Sequence, residues 1–135
     1  MVRMLVILLA LASGCAPVSR VGVVSSPADP ITVPFETGCG DAESDHVEVR
    51  GAELVGRTLR VLVRHGGGCE DHDYRICGGE RIRLDGRWEL TVLHDAHGDR
   101  CEAELERLIE ATLPDPPPTA LIAVEGRTIV ASMAR

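Results

Sequence analysis

The sequence predicts a mostly β protein: a small antiparallel β-sandwich or open barrel with two disulfides and, at most, one short helix. Three observations support this fold class. Short segments alternate apolar and charged side chains, glycine-containing turns separate them, and about six such strands fit into residues 38–135.

The clearest hairpin lies in the first half of the predicted domain. Val47 and Val49 alternate with charged residues, and residues 59–64 repeat that alternation. A strand with one buried and one solvated face has this pattern in an antiparallel sheet. The link Val55-Gly56-Arg57 is short enough to join the two strands directly.

A second hairpin is predicted around Asp85-Gly86-Arg87. A two-residue loop would set apolar residues against charged ones on the same side of the sheet. A three-residue loop instead pairs Leu84 with Trp88 and Ile82 with Leu90. The longer loop is therefore preferred, with Gly86 or its neighbour in the left-handed region.

The last third of the chain is harder to assign. Residues 120–124 and 128–131 flank Glu125-Gly126-Arg127 and are apolar on both faces, which favours central strands with an open register. In residues 101–113, leucines and one isoleucine recur near helical spacing, and Pro114 follows. We expect a helix there, with a strand as the alternative.

The N-terminus has the pattern of an export signal. Arg3 precedes an uncharged apolar run over residues 5–12, which is too short to cross about 30 Å of hydrocarbon. The sequence Leu11-Ala12-Ser13-Gly14-Cys15 then resembles the lipobox of bacterial lipoproteins. The resemblance implies cleavage before Cys15 and acyl chains such as palmitate at that residue. An ordinary secretory signal with a chance cysteine is the alternative.

These features divide the chain into a signal peptide (1–14), a lipidated cysteine with a proline-containing flexible tether (15–37) and a folded domain (38–135). The expected location is the bacterial cell envelope. If the host has an outer membrane, Ala16 after the lipidated cysteine permits sorting to it. In other hosts, the protein would lie on the outer face of the cell membrane.

The charge of the mature chain excludes one class of partner. Removal of the signal leaves 13 arginines and 21 acidic residues, a net charge of 13 − 21 = −8. Nucleic-acid binding needs a basic face, so we expect none. Anionic headgroups would repel such a domain, and membrane attachment is therefore assigned to the lipid.

The cysteine count agrees with export. Besides Cys15 the chain has four cysteines, an even number that indicates two disulfides in an oxidising compartment. They are Cys39, Cys69, Cys77 and Cys101. Spacing alone leaves the three pairings open. In a small domain with one Phe, one Tyr and one Trp, each bond could contribute roughly 2–5 kcal/mol.

Two patches, residues 65–73 and 94–101, concentrate reactive side chains. Each follows a predicted strand, so loops at one end of the fold could bring them together. His72, His94 and His97 could supply nitrogen ligands to zinc or copper. Because their spacing matches no established ligand signature, the sequence favours turn residues and no cofactor, with a metal site as the alternative.

The sequence contains little that supports a catalytic role. Outside the signal and tether the serines are Ser44 and Ser132, and neither lies in a nucleophile elbow. With the cysteines assigned to disulfides, no thiol remains for chemistry. We therefore expect a protein that is not an enzyme, with a small envelope hydrolase as a distant alternative.

Residues 67–70 with His72, followed by residues 94–102, resemble a pattern in small exported bacterial domains. The pattern is similar to the β-sandwich part of NigD-like lipoproteins of unassigned function, over residues 58–113. The resemblance implies a Cys69–Cys101 disulfide and leaves Cys39 to pair with Cys77. It implies no activity. The sequence thus predicts a lipid-anchored binding or structural module of the cell envelope, whose partner is an envelope protein or a small ligand; an exported metal-binding protein is the alternative.

Overall fold

The computed structural model describes residues 29–114, 119 and 121–130, which form nine strands. They are β1 (Ile31–Thr32), β2 (Phe35–Thr37), β3 (Glu48–Val55), β4 (Thr58–Gly67), β5 (Asp73–Gly78), β6 (Arg87–Asp95), β7 (Ala103–Thr112), β8 (Leu121–Val124) and β9 (Arg127–Val130). Within these residues, no helix is long and apolar enough to cross a bilayer.

The strands form two sheets around one core. The first sheet has the order β1-β7-β4-β3 and the second has the order β2-β5-β6-β8-β9. Side chains from both sheets share one buried cluster, which includes Leu59, Ile109, Ile76 and Leu90. The mostly β prediction is confirmed. The sheets are mixed rather than purely antiparallel, because β1–β7, β2–β5 and β6–β8 are parallel pairs.

The first predicted hairpin is confirmed as β3 and β4. Gly56 takes a φ of 62° in the connecting turn, a conformation that glycine adopts without steric cost. Along β4, Leu59, Val61 and Val63 are fully buried and alternate with partly exposed residues. This strand lies at the centre of the first sheet, between β3 and β7.

The helix expected over residues 101–113 is wrong, because this segment forms β7. Leu105, Ile109 and Leu113 are spaced by four residues, which fits one face of a strand as well as one face of a helix. In the structure Ile109 pairs with Val61, and the buried Ile109, Ala111 and Leu113 follow the two-residue period of a strand. Long-range pairing with β4 therefore overrides the local helix preference.

The strand pairing predicted around Asp85-Gly86-Arg87 is also wrong, although the chain turns there and Gly86 takes the expected left-handed φ of 80°. Strand β6 pairs with β5, and the segment that contains Ile82 and Leu84 is an exposed loop. Trp88 is buried, but its neighbour is Gly78: a Cβ atom at Gly78 would lie 2.6 Å from the Trp88 ring. The indole thus packs on a bare backbone, not on Leu84.

The final pair of strands joins through a two-residue turn. Glu125 and Gly126 have φ angles of 46° and 79°, as a type I′ turn requires at both central positions. Strand β8 lies between β6 and β9 and is therefore central, as expected, whereas β9 is at the edge of the sheet. Residues 120 and 131 of the predicted strands lie outside the described residues.

The folded domain begins earlier than residue 38. Ile31 pairs with Ile109, Phe35 pairs with Ile76, and the intervening Val33 is buried in the core. The prolines suggested a tether up to residue 37, but a proline at position 34 is compatible with a chain that passes from one sheet edge to the other. The rest of the predicted tether, residues 15–28, lies outside the described residues.

Two disulfides link distant parts of the chain. Cys39 bonds to Cys77 and Cys69 bonds to Cys101, across sequence separations of 38 and 32 residues. This is the pairing that the family resemblance implied. The second bond joins the loop after β4 to the segment before β7, at the end of the sandwich where the reactive side chains meet.

Candidate functional site

Three histidines and a tyrosine pack together at one end of the sandwich, and we call them the histidine cluster: His65, His72, Tyr74 and His94. His65 continues the buried face of β4. Tyr74 on β5 and His94 on β6 are directly paired across the second sheet. His72 lies in the loop between β4 and β5. The two patches predicted to meet therefore do so.

The histidine cluster is buried and its rings are in contact. His65 and His94 are 3% exposed, and the His72 side chain is 5% exposed. The ring centroid of His65 lies 4.3 Å from that of His94 and 4.7 Å from that of His72. The Tyr74 ring stacks on His94 at 5.3 Å. The cluster thus closes one end of an otherwise apolar core.

Each imidazole has one nitrogen bonded to an oxygen that can only accept, so that nitrogen carries a proton. The three contacts are His65 Nδ1 to Gly66 O at 2.9 Å, His94 Nδ1 to His46 O at 3.2 Å, and His72 Nε2 to Asp99 Oδ2 at 3.1 Å. The other nitrogens face inward. His72 Nδ1 lies 2.7 Å from His94 Nε2, and the Tyr74 hydroxyl lies 2.6 Å from His65 Nε2.

Asp99 holds the loop that carries His72. Its Oδ2 atom accepts from the backbone N–H groups of Gly68, Cys69 and Glu70 at 2.8, 2.9 and 3.1 Å. Its Oδ1 atom accepts from the N–H of Cys101 at 2.8 Å. Because the Asp99 side chain is 0% exposed, these bonds replace its hydration. One carboxylate therefore fixes both segments joined by the second disulfide.

The surroundings shift several pKa values. The N–H of Cys101, then the His72 ring and nearby backbone N–H groups, hold the pKa of Asp99 far below its ordinary value. Burial lowers the pKa of both His65 and His94, because a charged imidazolium would lose its hydration. Burial raises the pKa of Tyr74. These shifts favour neutral His65 and His94, a neutral phenol and an ionised Asp99.

A positive charge also acts on the cluster. Arg107 on β7 pairs across the sheet with Val63, and its guanidinium adds to the lowering of the His65 pKa and offsets part of the rise in the Tyr74 pKa that burial causes. Protonation of His65 is therefore opposed by a neighbouring cation as well as by burial. Asp99 supplies the opposing negative charge through His72.

Of the three predicted metal ligands, the structure brings two together. His72 and His94 belong to the cluster, whereas His97 is on the surface, where its Nε2 atom lies 2.8 Å from Asp73 Oδ2. The Asp73 carboxylate raises the pKa of His97. His65 was missed, although the alternation of Leu59, Val61 and Val63 predicts an inward side chain two residues later. Tyr74 was missed because strand β5 was not recognised.

Two groups of side chains within the described residues have donor atoms close enough for one metal ion. In the first, His65, His72 and His94 each offer a ring nitrogen within 4.8 Å of the others. The second group contains Cys69, Asp99 and Cys101, but its sulfurs are bonded to each other. A disulfide has no thiolate to bind a metal. The histidines are therefore the chemically competent set.

Replacing Gly67 by alanine should disrupt the site. Gly67 has a φ of 134°, and a Cβ atom there would lie 2.5 Å from His72 Cε1 and 3.0 Å from Asp99 Oδ2. The His72 ring must move and its bond to Asp99 must break. We expect the His72 imidazole resonances to shift in NMR spectra and the melting temperature to fall. Gly98→Ala is a control, since nothing lies within 4 Å of its Cβ position although its φ of 73° also strains the backbone. An unchanged His72 environment in Gly67→Ala would contradict this geometry.

Fold and site together define a two-sheet, disulfide-linked β domain with a buried histidine cluster. No family model matches the chain, and no curated protein matches it. Solved structures with a similar fold include three proteins from Bacteroides and Parabacteroides. A NigD-like immunity protein from Bacteroides caccae aligns with a TM-score of 0.52 and 18% identity, over 73% of this chain and 58% of that protein.

Two other structures are more distant in sequence. A protein of unknown function, DUF1344, from Bacteroides vulgatus aligns with a TM-score of 0.56 and 14% identity, over 75% of this chain and 56% of that one. A putative toxin related protein from Parabacteroides distasonis aligns with a TM-score of 0.52 and 11% identity, over 75% and 62%. This chain thus spans less than two thirds of each, and the likeness is one of fold.

Proposed function

We propose that this protein is a lipid-anchored binding protein of the bacterial cell envelope, with the histidine cluster as its binding end. Cys15 would carry the lipid, and the domain would bind an envelope protein or a small ligand without transforming it. The location follows the sequence prediction: the outer membrane if the host has one, and otherwise the outer face of the cell membrane. The observation that carries the binding role is the burial of three imidazoles and a phenol in one group.

Burial of so many polar rings favours a functional role over a structural one. A buried polar group loses hydration and contributes less to stability than an apolar side chain of similar size. The remainder of the core is built from Val, Leu, Ile and Ala, with Trp88 and the disulfide-bonded Cys77. A group that departs from this composition at one end of the fold is where a binding function is expected.

The thermal stability of a double variant tests the binding role. His65→Leu with Tyr74→Phe removes both partners of the 2.6 Å bond, so neither polar group is left unsatisfied. We expect the melting temperature to stay within about 5 °C of the wild-type value or to rise. His65→Leu alone is the control, since it leaves the Tyr74 hydroxyl without its acceptor. A large loss in the double variant would identify the cluster as a structural element.

The anchor has a separate test. Cys15→Ser removes the acceptor thiol, and we expect the full-length protein to leave the membrane fraction and to lose incorporation of labelled palmitate. Ser13→Ala retains the small residue and the cysteine and serves as the matched control. Retention of Cys15→Ser in the membrane fraction would refute the lipid anchor.

An enzymatic role is not proposed. Among the described residues all four cysteines are in disulfides, and the Ser44 hydroxyl bonds to the Asp45 carbonyl at 3.0 Å. Neither residue type therefore provides an activated nucleophile. The net charge of −8 gives the mature chain no general attraction for nucleic acid.

A further inference from the structure

We propose that His65, His72 and His94 bind one divalent transition-metal ion, Zn²⁺ or Cu²⁺. This inference rests on the proposed binding role of the histidine cluster and names its ligand. The three residues differ from the set predicted from sequence, because His65 replaces His97. Imidazole nitrogens suit both ions, and three protein nitrogens form a common donor set for each.

The first argument is the way the three rings are held. A histidine that binds metal through one nitrogen almost always donates its other N–H to a carboxylate, a backbone carbonyl or water. All three rings here satisfy that rule, with acceptors on Gly66, His46 and Asp99. The remaining nitrogens therefore present lone pairs toward one another. Such orientation of each ring is not required for a cluster that only fills space.

The second argument is the close approach of two ring nitrogens. His72 Nδ1 and His94 Nε2 lie 2.7 Å apart. The Nδ1 atom of His94 donates to the His46 carbonyl, so its Nε2 atom is an acceptor, and a positive centre, either a proton or a metal ion, lies between the two rings. A metal ion bound there would displace that proton. His65 differs, because the Tyr74 hydroxyl can donate to its Nε2 atom.

The third argument is the charge balance. Asp99 places a negative charge directly behind His72 and makes that ring a stronger donor to a metal. Arg107 opposes cation binding through its proximity to His65 and Tyr74. The guanidinium is partly exposed and bonds to the Glu106 carbonyl, whereas the Asp99 carboxylate is fully buried. Asp99 bonds directly to His72, whereas Arg107 acts more strongly than Asp99 at His65, so the charge that favours a cation lies on the His72 side of the site.

Binding requires the rings to move, because the three donor nitrogens lie within 4.8 Å of one another and are not already at the spacing of metal ligands. Two nitrogens on a tetrahedral Zn²⁺ lie about 3.3 Å apart, so the His72–His94 pair must open by about 0.6 Å. His72 lies on a loop rather than on a strand, which allows this movement. Three histidines leave a fourth position for water or for the nearby Tyr74 hydroxyl.

Metal titration of the mature lipoprotein in detergent tests the proposal. After chelator treatment and dialysis, we expect one Zn²⁺ or one Cu²⁺ per chain by calorimetry and elemental analysis. His65→Ala, His72→Ala and His94→Ala should each weaken binding by more than about 100-fold, and Asp99→Asn by about 10–100-fold. His46→Ala and His97→Ala are matched controls that remove the two histidine side chains outside the cluster, and they should leave affinity unchanged.

A spectroscopic measurement on the wild-type protein covers the case in which a variant fails to fold. With one equivalent of Cu²⁺, electron paramagnetic resonance should show hyperfine coupling to three imidazole nitrogens. Absence of stoichiometric binding of both ions, or binding that survives His72→Ala and is lost in His97→Ala, would overturn the proposal. The lipid anchor is judged separately by the fractionation of Cys15→Ser, so failure of the metal site and failure of the anchored location give different results.

Discussion

Replacing Cys69 and Cys101 together by alanine is expected to lower the free energy of unfolding by about 4 kcal/mol. The bond closes a loop across a sequence separation of 32 residues, and its loss restores the conformational freedom of that loop in the unfolded chain. For a domain of this size the melting temperature should fall by roughly 15–30 °C. Thermal unfolding followed by circular dichroism, without reductant, measures the change.

The other disulfide provides a matched control. Cys39 and Cys77 are separated by 38 residues, so their replacement by alanine should cost a similar free energy. Only loss of the Cys69–Cys101 bond should also alter the His72 environment, because Cys69 and Cys101 both donate backbone N–H groups to Asp99. Equal perturbation of the His72 NMR resonances in both double variants would contradict this distinction.

Asp99→Asn should produce the largest local opening of the backbone around the histidine cluster. An amide cannot replace a carboxylate that accepts four hydrogen bonds at one oxygen and one at the other. Either orientation of the amide places its NH₂ group against an N–H donor. We expect amide exchange at Gly68, Cys69 and Glu70 to become more than about tenfold faster. Hydrogen exchange measured by NMR or mass spectrometry tests this expectation. Asp71→Asn is the control, being an exposed carboxylate in the same loop.

The stability difference between the wild-type protein and Asp99→Asn should change with pH in a defined direction. The pKa of Asp99 is lower in the folded protein than its ordinary value of about 3.9. Its contribution to stability is therefore complete above about pH 4 and is lost as the pH falls toward the folded pKa. The stability difference between wild type and Asp99→Asn should be constant from pH 5 to 7 and should shrink below pH 4. A difference that grows with acidification would refute the assigned role of this carboxylate.

The strand alternation around Val61 and Val63 was sufficient to predict the first hairpin, but β7 was not predictable in the same way. A spacing of four residues between Leu105, Ile109 and Leu113 is compatible with both regular structures. This segment forms a strand because it pairs with β4, which begins more than forty residues earlier in the chain. Such long-range contacts have no local signature in the sequence.

The second hairpin failed for a related reason. Ile82 and Leu84 alternate with arginines and follow the rule for a half-buried strand, yet the neighbour of β6 is β5. The decisive contact is that of Trp88 on Gly78, and a glycine contributes nothing to a hydrophobic pattern. A bare backbone that accommodates an indole is visible only once the two strands are paired.

The sequence predicted where the histidine cluster would lie in the fold, but it did not predict which residues would form it. Its two patches were correctly expected to meet, because each follows a strand. His97 was predicted as a ligand because it lies in the same patch as His94, but it follows the end of β6 in a turn with a φ of 51° and its ring bonds to Asp73 on the surface. His65 lies on β4 in the first sheet, and it contacts Tyr74 and His94 of the second sheet only through the packing of one sheet on the other.

The Cys39–Cys77 bond has a mechanical consequence for the lipid-anchored arrangement that we propose. Tension in the tether would first reach β1 and β2, which contain only two and three residues. Beyond Cys39 the force crosses a covalent bond to Cys77, into β5 and the interior of the second sheet. Mechanical unfolding from the N-terminus would therefore stop after β1 and β2. The histidine cluster would keep its structure while force acts on the N-terminal segment.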